Sequence, residues 1–461
     1  MGTPLHRLDT TPPPGLIKQT TGRCPRCLAA VPAEVFERDG SIYLARNCAE
    51  HGRLVALLAR DPRFYYRSVG AQGGCGEGCG CTVAAPQGPA AERDPFEVLA
   101  SCLALIEIVD SCNLACPTCY AASPFGGGAA VDCITFEDFR RRVEGVLERK
   151  GEIDVLQLTG GEPTIHPQFF TLLEWALAEP RIGYVLINTN LVRIAADDAF
   201  RERLGQARRQ FGKFELYAQF DGPQRAGQHE LRGADLRETR RRAIDLAGAC
   251  GVPTTLAMVV TPTTRQHLGA ALRFGLERRH CRGLALQPFF TSGRVPEAAA
   301  APSPAAAQAA FSTISVGDVI LELVAQSQGQ LRVEDFTPLP CGDPNCHTIS
   351  YLLRTDDGPL GLSRLVDLAS LQGFLTNRVD YRLEDLARCG CASDPLGQLL
   401  ERLEVGPDQP FRIFIKPFMD AWTYDQDRID RCCTHVIRRD GRLDSFCRYY
   451  LHGGAAGFGG P

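Results

Sequence analysis

Residues 106–120 read IEIVDSCNLACPTCY, an apolar run that ends in three cysteines spaced Cys112-x3-Cys116-x2-Cys119. Three thiolates within eight residues, on a loop stiffened by Pro117, can wrap one face of a cuboidal [4Fe–4S] cluster. Such a cluster has four irons, so three cysteines leave one iron open to a ligand. A structural zinc site would want four protein ligands. Spacing alone leaves a zinc loop or buried cysteines as alternatives.

Working outward, five further apolar runs follow at regular intervals: Ile153–Leu158, Tyr184–Asn188, Phe214–Phe220, Thr254–Val260 and Gly283–Gln287, after a first at Ala104–Val109. Amphipathic stretches at about 136–149, 167–178, 196–210, 236–249 and 264–279 separate them. Thr135 followed by Asp138 is a start signal for the first helix. Leu, Val and Ile fill the strands with little alternation, as parallel strands covered on both faces require. The pattern predicts an α/β fold, a partial (β/α)6 TIM-type barrel, with chemistry at the C-terminal strand ends. The sharpest motifs fall at those ends.

The second run closes in LTGGEP, bringing Gly160, Gly161 and Glu162 to a strand end; two glycines permit close backbone approach, and a carboxylate can pair with an ammonium. The third ends at Asn188, Thr189 and Asn190, the fourth at Gln219, Phe220 and Asp221. Strand-terminating turn residues are the plainer reading of these last two. With the cysteine triad, the GGEP turn resembles the radical S-adenosylmethionine (radical SAM) superfamily over roughly residues 104–300. The resemblance implies a [4Fe–4S] cluster on Cys112, Cys116 and Cys119. It implies S-adenosylmethionine against Tyr120, Gly160, Gly161, Glu162, Asn190, Gln219 and Asp221. It further implies reductive cleavage to a 5'-deoxyadenosyl radical that abstracts hydrogen from an unactivated C–H bond. No acid–base triad is expected. Many members carry an aromatic residue just before the third cysteine; here it is Thr118.

The chain has 461 residues, 44% of them hydrophobic, and a net charge of -4. No basic surface argues for nucleic acid. The arginine runs 140–142 and 240–242 read as solvated helix faces. The start, MGTPLHRLDTTPPPG, has no signal-peptide core, and no run is long enough to span a bilayer. A cytoplasmic protein is expected, with peripheral membrane contact open if the substrate is a lipid.

Twenty cysteines in a long chain, grouped at short spacings, read as metal ligands rather than disulfides. Residues 1–100 hold Cys24-x2-Cys27 and Cys48-x2-His51, flanking a hairpin that turns at Asp39-Gly40. This is a zinc-ribbon or rubredoxin-like pattern for zinc or mononuclear iron, with His51 either a ligand or a neighbour. Cys75, Cys79 and Cys81 lie in GGCGEGCGC, with Cys102 a natural fourth ligand for a cluster. After an Ala/Pro-rich linker (297–310), residues 311–461 offer Cys341, Cys346, Cys432 or Cys433, and Cys447 for another. Cys389 and Cys391 pair without partners, and Cys133, Cys250 and Cys281 read as packed apolar residues. The domains expected are therefore a small N-terminal metal-binding region, the radical SAM core (101–298) and a C-terminal auxiliary-cluster domain, with one or two auxiliary [4Fe–4S] clusters.

The order of the pieces, through ALQPFFTSGR (285–294) and PLPCGDPNC (338–346), resembles one radical SAM subgroup across nearly the whole chain. That subgroup includes the archaeal tetraether lipid synthase and has also been described as a dihydropterin methyltransferase. It favours a C-x3-C-x2-C type of arrangement in the Gly/Cys loop, where this chain separates Cys79 and Cys81 by one residue. The resemblance implies carbon–carbon coupling of lipid chains first, radical methylation of a dihydropterin or other small molecule second, and peptide modification third. A flavodoxin or ferredoxin is the implied electron donor.

Overall fold

The computed structural model describes residues 15–67, 96, 101–126, 131–295, 314–338, 342–365 and 408–452. Cys75, Cys79, Cys81, Cys341, Cys389, Cys391 and the 297–310 linker fall outside them.

The N-terminal ribbon is an antiparallel sheet in sequence order: β1 (Leu16–Arg23), β2 (Ala30–Arg38), β3 (Ser41–Cys48) and β4 (Gly52–Ala59). Asp39 and Gly40 both take positive φ, 51° and 70°, between the paired residues Arg38 and Ser41. A two-residue turn of this hand matches strand twist, and Asp-Gly tolerates it.

The six apolar runs form six strands: β5 (Leu103–Val109), β6 (Ile153–Gly160), β7 (Ile182–Thr189), β8 (Phe214–Gln219), β9 (Thr254–Val260) and β10 (Cys281–Pro288). Each pairs in parallel with the next. Helices Phe136–Lys150, Phe169–Ala178, Asp198–Phe211, Arg237–Ala249 and Leu268–Leu276 return the chain between them. The first starts where Thr135 Oγ1 accepts the Asp138 N–H at 3.1 Å, the cap seen in sequence. The strands are buried on both faces: Ile106, Leu158, Ile187 and Leu216, in register on one face, are inaccessible to solvent, and Leu105 and Val155 are buried on the other. Cys281 is buried among them, and Cys133 and Cys250 pack half-buried against the core.

Among the described residues the six core strands belong to a larger sheet that does not close, running β11–β12–β14–β10–β9–β8–β7–β6–β5–β15–β16. Here β11 is Thr337–Pro338, β12 Thr348–Thr355, β13 (paired with β12) Gly358–Gly361, β14 Pro410–Ile415, β15 Thr434–Ile437 and β16 Leu443–Ser445. The C-terminal segment thus extends both edges of the core sheet, with β14 parallel to β10 and β15 parallel to β5. One expectation is corrected, that of the arginine runs. Arg142 and Arg240 are buried, because each meets a carboxylate, Asp138 and Asp221 respectively.

Candidate functional site

The C-terminal ends of β5 to β8 and β10 surround one pocket. Cys112, Cys116, Cys119, Tyr120, Gly160, Gly161, Glu162, Asn190 and Gln219 all line it. Backbone packing alone already requires both glycines. A Cβ on Gly160 would lie 2.0 Å from the Val109 carbonyl oxygen, and one on Gly161 2.0 Å from that of Ser111. The GGEP turn is therefore laid directly on the chain leading into the triad, with Gly161 N donating to Val109 O at 2.7 Å and Glu162 N to Ser111 O at 3.1 Å.

Donors surround the triad. Leu114 N–H points at Cys112 Sγ (3.4 Å), and Asn190 Nδ2 lies 3.8 Å from the same sulfur. Arg232 sits against Cys116. Burial pushes the bare Cys112 thiol up to about 12, so it favours the neutral form until something cationic takes the sulfur. N–H groups aimed at sulfur suit thiolates held on iron. The loop is stapled by a residue that sequence reading had not singled out: Arg294 exchanges backbone hydrogen bonds with Cys119 (2.8 and 2.9 Å), and its guanidinium donates to Cys116 O and Ser123 O.

Glu162 is buried, and its carboxylate accepts from Thr164 N, Thr164 Oγ1, Thr189 Oγ1 and Asn190 N at 2.6–3.2 Å. It ties the ends of β6 and β7 together at the pocket floor. Desolvation raises its pKa despite these donors. Tyr120 lies under the pocket, its hydroxyl 3.5 Å from both Thr159 Oγ1 and Asn188 Nδ2.

Asp221 is placed differently from the sequence expectation. It is fully buried and does not line the pocket. Its carboxylate takes Arg232 Nε (2.6 Å), Arg232 Nη2 (3.0 Å), Arg240 Nη1 (3.0 Å) and Val259 N (3.2 Å). Arg232, also bonded to Gln219 Oε1 at 2.9 Å, lines the pocket, as does Arg240. Nothing in the spacing of Arg232 marked it; it comes from a short helix, Gln228–Arg232, after the QFDG turn.

In the ribbon, ligand atoms of Cys24, Cys27, Cys48 and His51 lie within 4.8 Å of one another. His51 Nδ1 is 3.6 and 3.5 Å from the Cys24 and Cys48 sulfurs. That is the spacing of four ligands on one ion, and it makes His51 a member of the set. A third group gathers in the C-terminal segment. Lys416 is buried near Cys346, Cys432, Cys433 and Cys447, and burial lowers its pKa. Arg428 Nη2 lies 3.5 Å from Cys346 Sγ, and Met419 N–H donates to Cys447 Sγ at 3.3 Å. Cys102 is buried at the start of β5, where the Leu103 N–H donates to Cys433 O.

A model of the radical SAM superfamily matches residues 106–275. The chain carries a radical SAM domain. A model of the HMPTM N-terminal zinc ribbon domain matches residues 16–60. The 7,8-dihydro-6-hydroxymethylpterin dimethyltransferase of Methanocaldococcus jannaschii is 24% identical, over 94% of this chain and 93% of its own. Among solved structures, Streptococcus suis SuiB bound to S-adenosylmethionine aligns with a TM-score of 0.35 and 14% identity, over 42% of this chain and 43% of that one. Native anSMEcpe with bound AdoMet and Cp18Cys peptide aligns with a TM-score of 0.32 and 23% identity, over 40% and 50%. Membership implies a [4Fe–4S] cluster and S-adenosylmethionine. Among the described residues, no helix is long and apolar enough to cross a membrane.

Proposed function

We propose that this enzyme forms carbon–carbon bonds at unactivated carbons of apolar chains, joining lipid tails. Cys112, Cys116 and Cys119 would hold the cluster, with the cofactor between Glu162, Asn190, Gln219, Arg232 and Tyr120. Bound there, the pair supplies a carbon radical able to take hydrogen from an aliphatic carbon. The chain's part is to align the substrate and keep water out.

The observation that carries this reading is that two cavities share Phe290 as a wall. One, of about 100 Å³, lies inside the sheet, faced by alternate residues such as Leu105, Val155, Leu186 and Ala285. The other, of about 120 Å³, runs between the ribbon strand β4, Ile314–Gly317 and Pro417–Asp425. Phe290 lines both and the cofactor pocket as well. Joining two chain ends requires two approaches to one radical site. Polar groups in the inner cavity are largely spent on each other: Glu215 with Thr255 (2.7 Å) and Arg412 (3.1 Å), Gln287 with Tyr217 (2.7 Å), Lys416 with Thr434 (2.9 Å). Satisfied groups leave a mainly apolar wall.

Methyl transfer to a dihydropterin is the second reading. It is favoured by the methanogen relative, similar along nearly its whole length, and by Gln157, an amide that faces the inner cavity. Apolar and aromatic walls with a few polar groups also describe ordinary small-molecule sites. On either reading, Cys346, Cys432, Cys433 and Cys447 would hold an auxiliary cluster whose negative charge Lys416 and Arg428 offset. A flavodoxin or ferredoxin would deliver the electron.

The test is anaerobic expression of this chain and a Cys112/Cys116/Cys119→Ala variant in one host, with mass spectrometry of lipids and pterins. Lipids of doubled chain length, two hydrogens lighter than their parts and absent with the variant, support coupling. Methylated pterins with unchanged lipids overturn it in favour of the second reading.

A further inference from the structure

We infer that the N-terminal metal ribbon positions the Phe290 wall of the radical site, acting through Arg46 and the strap of residues 420–425. This does not depend on which substrate is correct.

Arg46, on β3, is inaccessible to solvent. Its stem passes over Gly22 of β1, where a Cβ would come within 2.9 Å of it. The guanidinium reaches into the C-terminal segment, donating through Nη1 to Ala421 O at 2.6 Å and lying 5.6 Å from the Trp422 ring centre. Its Nε and Nη2 have no partner. Burial disfavours the charged guanidinium and lowers its pKa to about 10, with Asp420 of the strap the leading charge that opposes this.

The strap is gripped from both sides. On the ribbon side, Lys18 pairs with Asp425 at 2.6 Å, Thr20 Oγ1 donates to Asp425 at 2.8 Å, and Arg23 lies over the Tyr424 ring. On the core side, Asp420 Oδ2 accepts from Thr291 N (3.0 Å) and Thr291 Oγ1 (2.7 Å). Thr291 follows Phe290 directly, and Ser292 donates to Tyr450 O (2.8 Å). The path from ribbon to radical-site wall is therefore Arg46, Ala421, Asp420, Thr291, Phe290.

Metal binding at Cys24, Cys27, Cys48 and His51 would stiffen the ribbon, because such binding couples to folding. The same ribbon presents Lys18, Thr20, Arg23 and Arg46 to the strap. An emptied ribbon should therefore hold the strap less firmly.

Hydrogen–deuterium exchange on the anaerobic, cluster-loaded enzyme tests this. A ribbon emptied by Cys27→Ser with His51→Ala, checked by elemental analysis, should exchange the amides of 289–294 and 420–425 several-fold faster than wild type. Arg46→Met should do the same with the ribbon metal retained, and Arg46→Lys should restore part of the protection. Thr291→Val should loosen 289–294 alone, and emptying the ribbon in that background should add little there. The inference is overturned if 289–294 exchanges at the wild-type rate with the ribbon empty. It is equally overturned if emptying the ribbon adds its full effect on top of Thr291→Val. Should Arg46→Met not fold, the Arg46→Lys and Thr291→Val comparisons decide.

Discussion

Asp221→Asn isolates the buried charge beneath the cofactor pocket. Burial by itself would raise the Asp221 carboxyl, but the guanidiniums of Arg232 and Arg240 outweigh it and hold it down to about 2, against an ordinary 3.8. At about 1.36 kcal/mol per tenfold change in acidity, that difference amounts to about 2.5 kcal/mol of folded-state stability at neutral pH. Because the folded value is the lower one, this stability is present above about pH 4 and fades as pH falls toward 2. Asparagine keeps the shape but leaves two guanidiniums without a carboxylate. Breaking one partner of a buried ion pair costs about 3–5 kcal/mol, consistent with the acidity argument as a lower bound. At about 1–2 °C per kcal/mol for a chain of this length, Asp221→Asn should melt roughly 3–10 °C below wild type in scans at pH 7 and one scan rate. Removing the cations too, as Asp221→Leu with Arg232→Met and Arg240→Met, should recover much of the loss, since an apolar replacement often matches a buried pair. A melting point for Asp221→Asn within 1–2 °C of wild type would refute the account.

Other perturbations test the remaining groups. Glu162→Gln replaces an acceptor of four hydrogen bonds with an amide that brings its own donor; about 2–3 kcal/mol should be lost, and S-adenosylmethionine binding, by calorimetry, should weaken at least tenfold. Cys432→Ala with Cys447→Ala should lower the iron count by about four per chain while reduced S-adenosylmethionine cleavage at the triad persists; an unchanged iron count removes the auxiliary cluster. Arg294→Met unclips the triad loop at Cys116 and Ser123 and should speed loss of the triad cluster to a chelator, read by its visible absorbance.

Much of this was legible in the sequence. All six core strands and the five helices between them sit within a few residues of where apolar runs and amphipathic stretches put them, because buried parallel strands must be apolar throughout. The knuckles Cys24–Cys27 and Cys48–His51 announced their site, since four ligands on two short loops leave few other readings. What the sequence could not show was how long-range charge is paired. Asp221 looked like a cofactor contact because it ends a strand. Its actual partners, Arg232 and Arg240, are set by how two later helices pack. The sheet edges were hidden for the same reason. Short runs such as Thr434–Ile437 carry no periodicity that says which strand they join.

Those edge strands bear on what the inner cavity can admit. β14 and β15 lie on opposite edges of the core sheet, yet Lys416, just past β14, donates to Thr434 at the start of β15 across 2.9 Å. This one bond spans the gap that a closed barrel would fill with paired strands. Lys416 also lines the inner cavity, lies near Cys346, Cys432, Cys433 and Cys447, and is 4.9 Å from the Phe418 ring centre. Lys416→Met should therefore act in two places at once. It removes the bond across the seam, and it removes a buried cation beside that group of cysteines. If a cluster sits there, losing that cation should make it harder to reduce, because added negative charge is no longer offset. The reading is a lowered midpoint in an anaerobic redox titration followed by electron paramagnetic resonance, with the triad's signal unmoved. A midpoint that stays put, or a shift shared equally by the triad, would mean Lys416 holds the seam and nothing more.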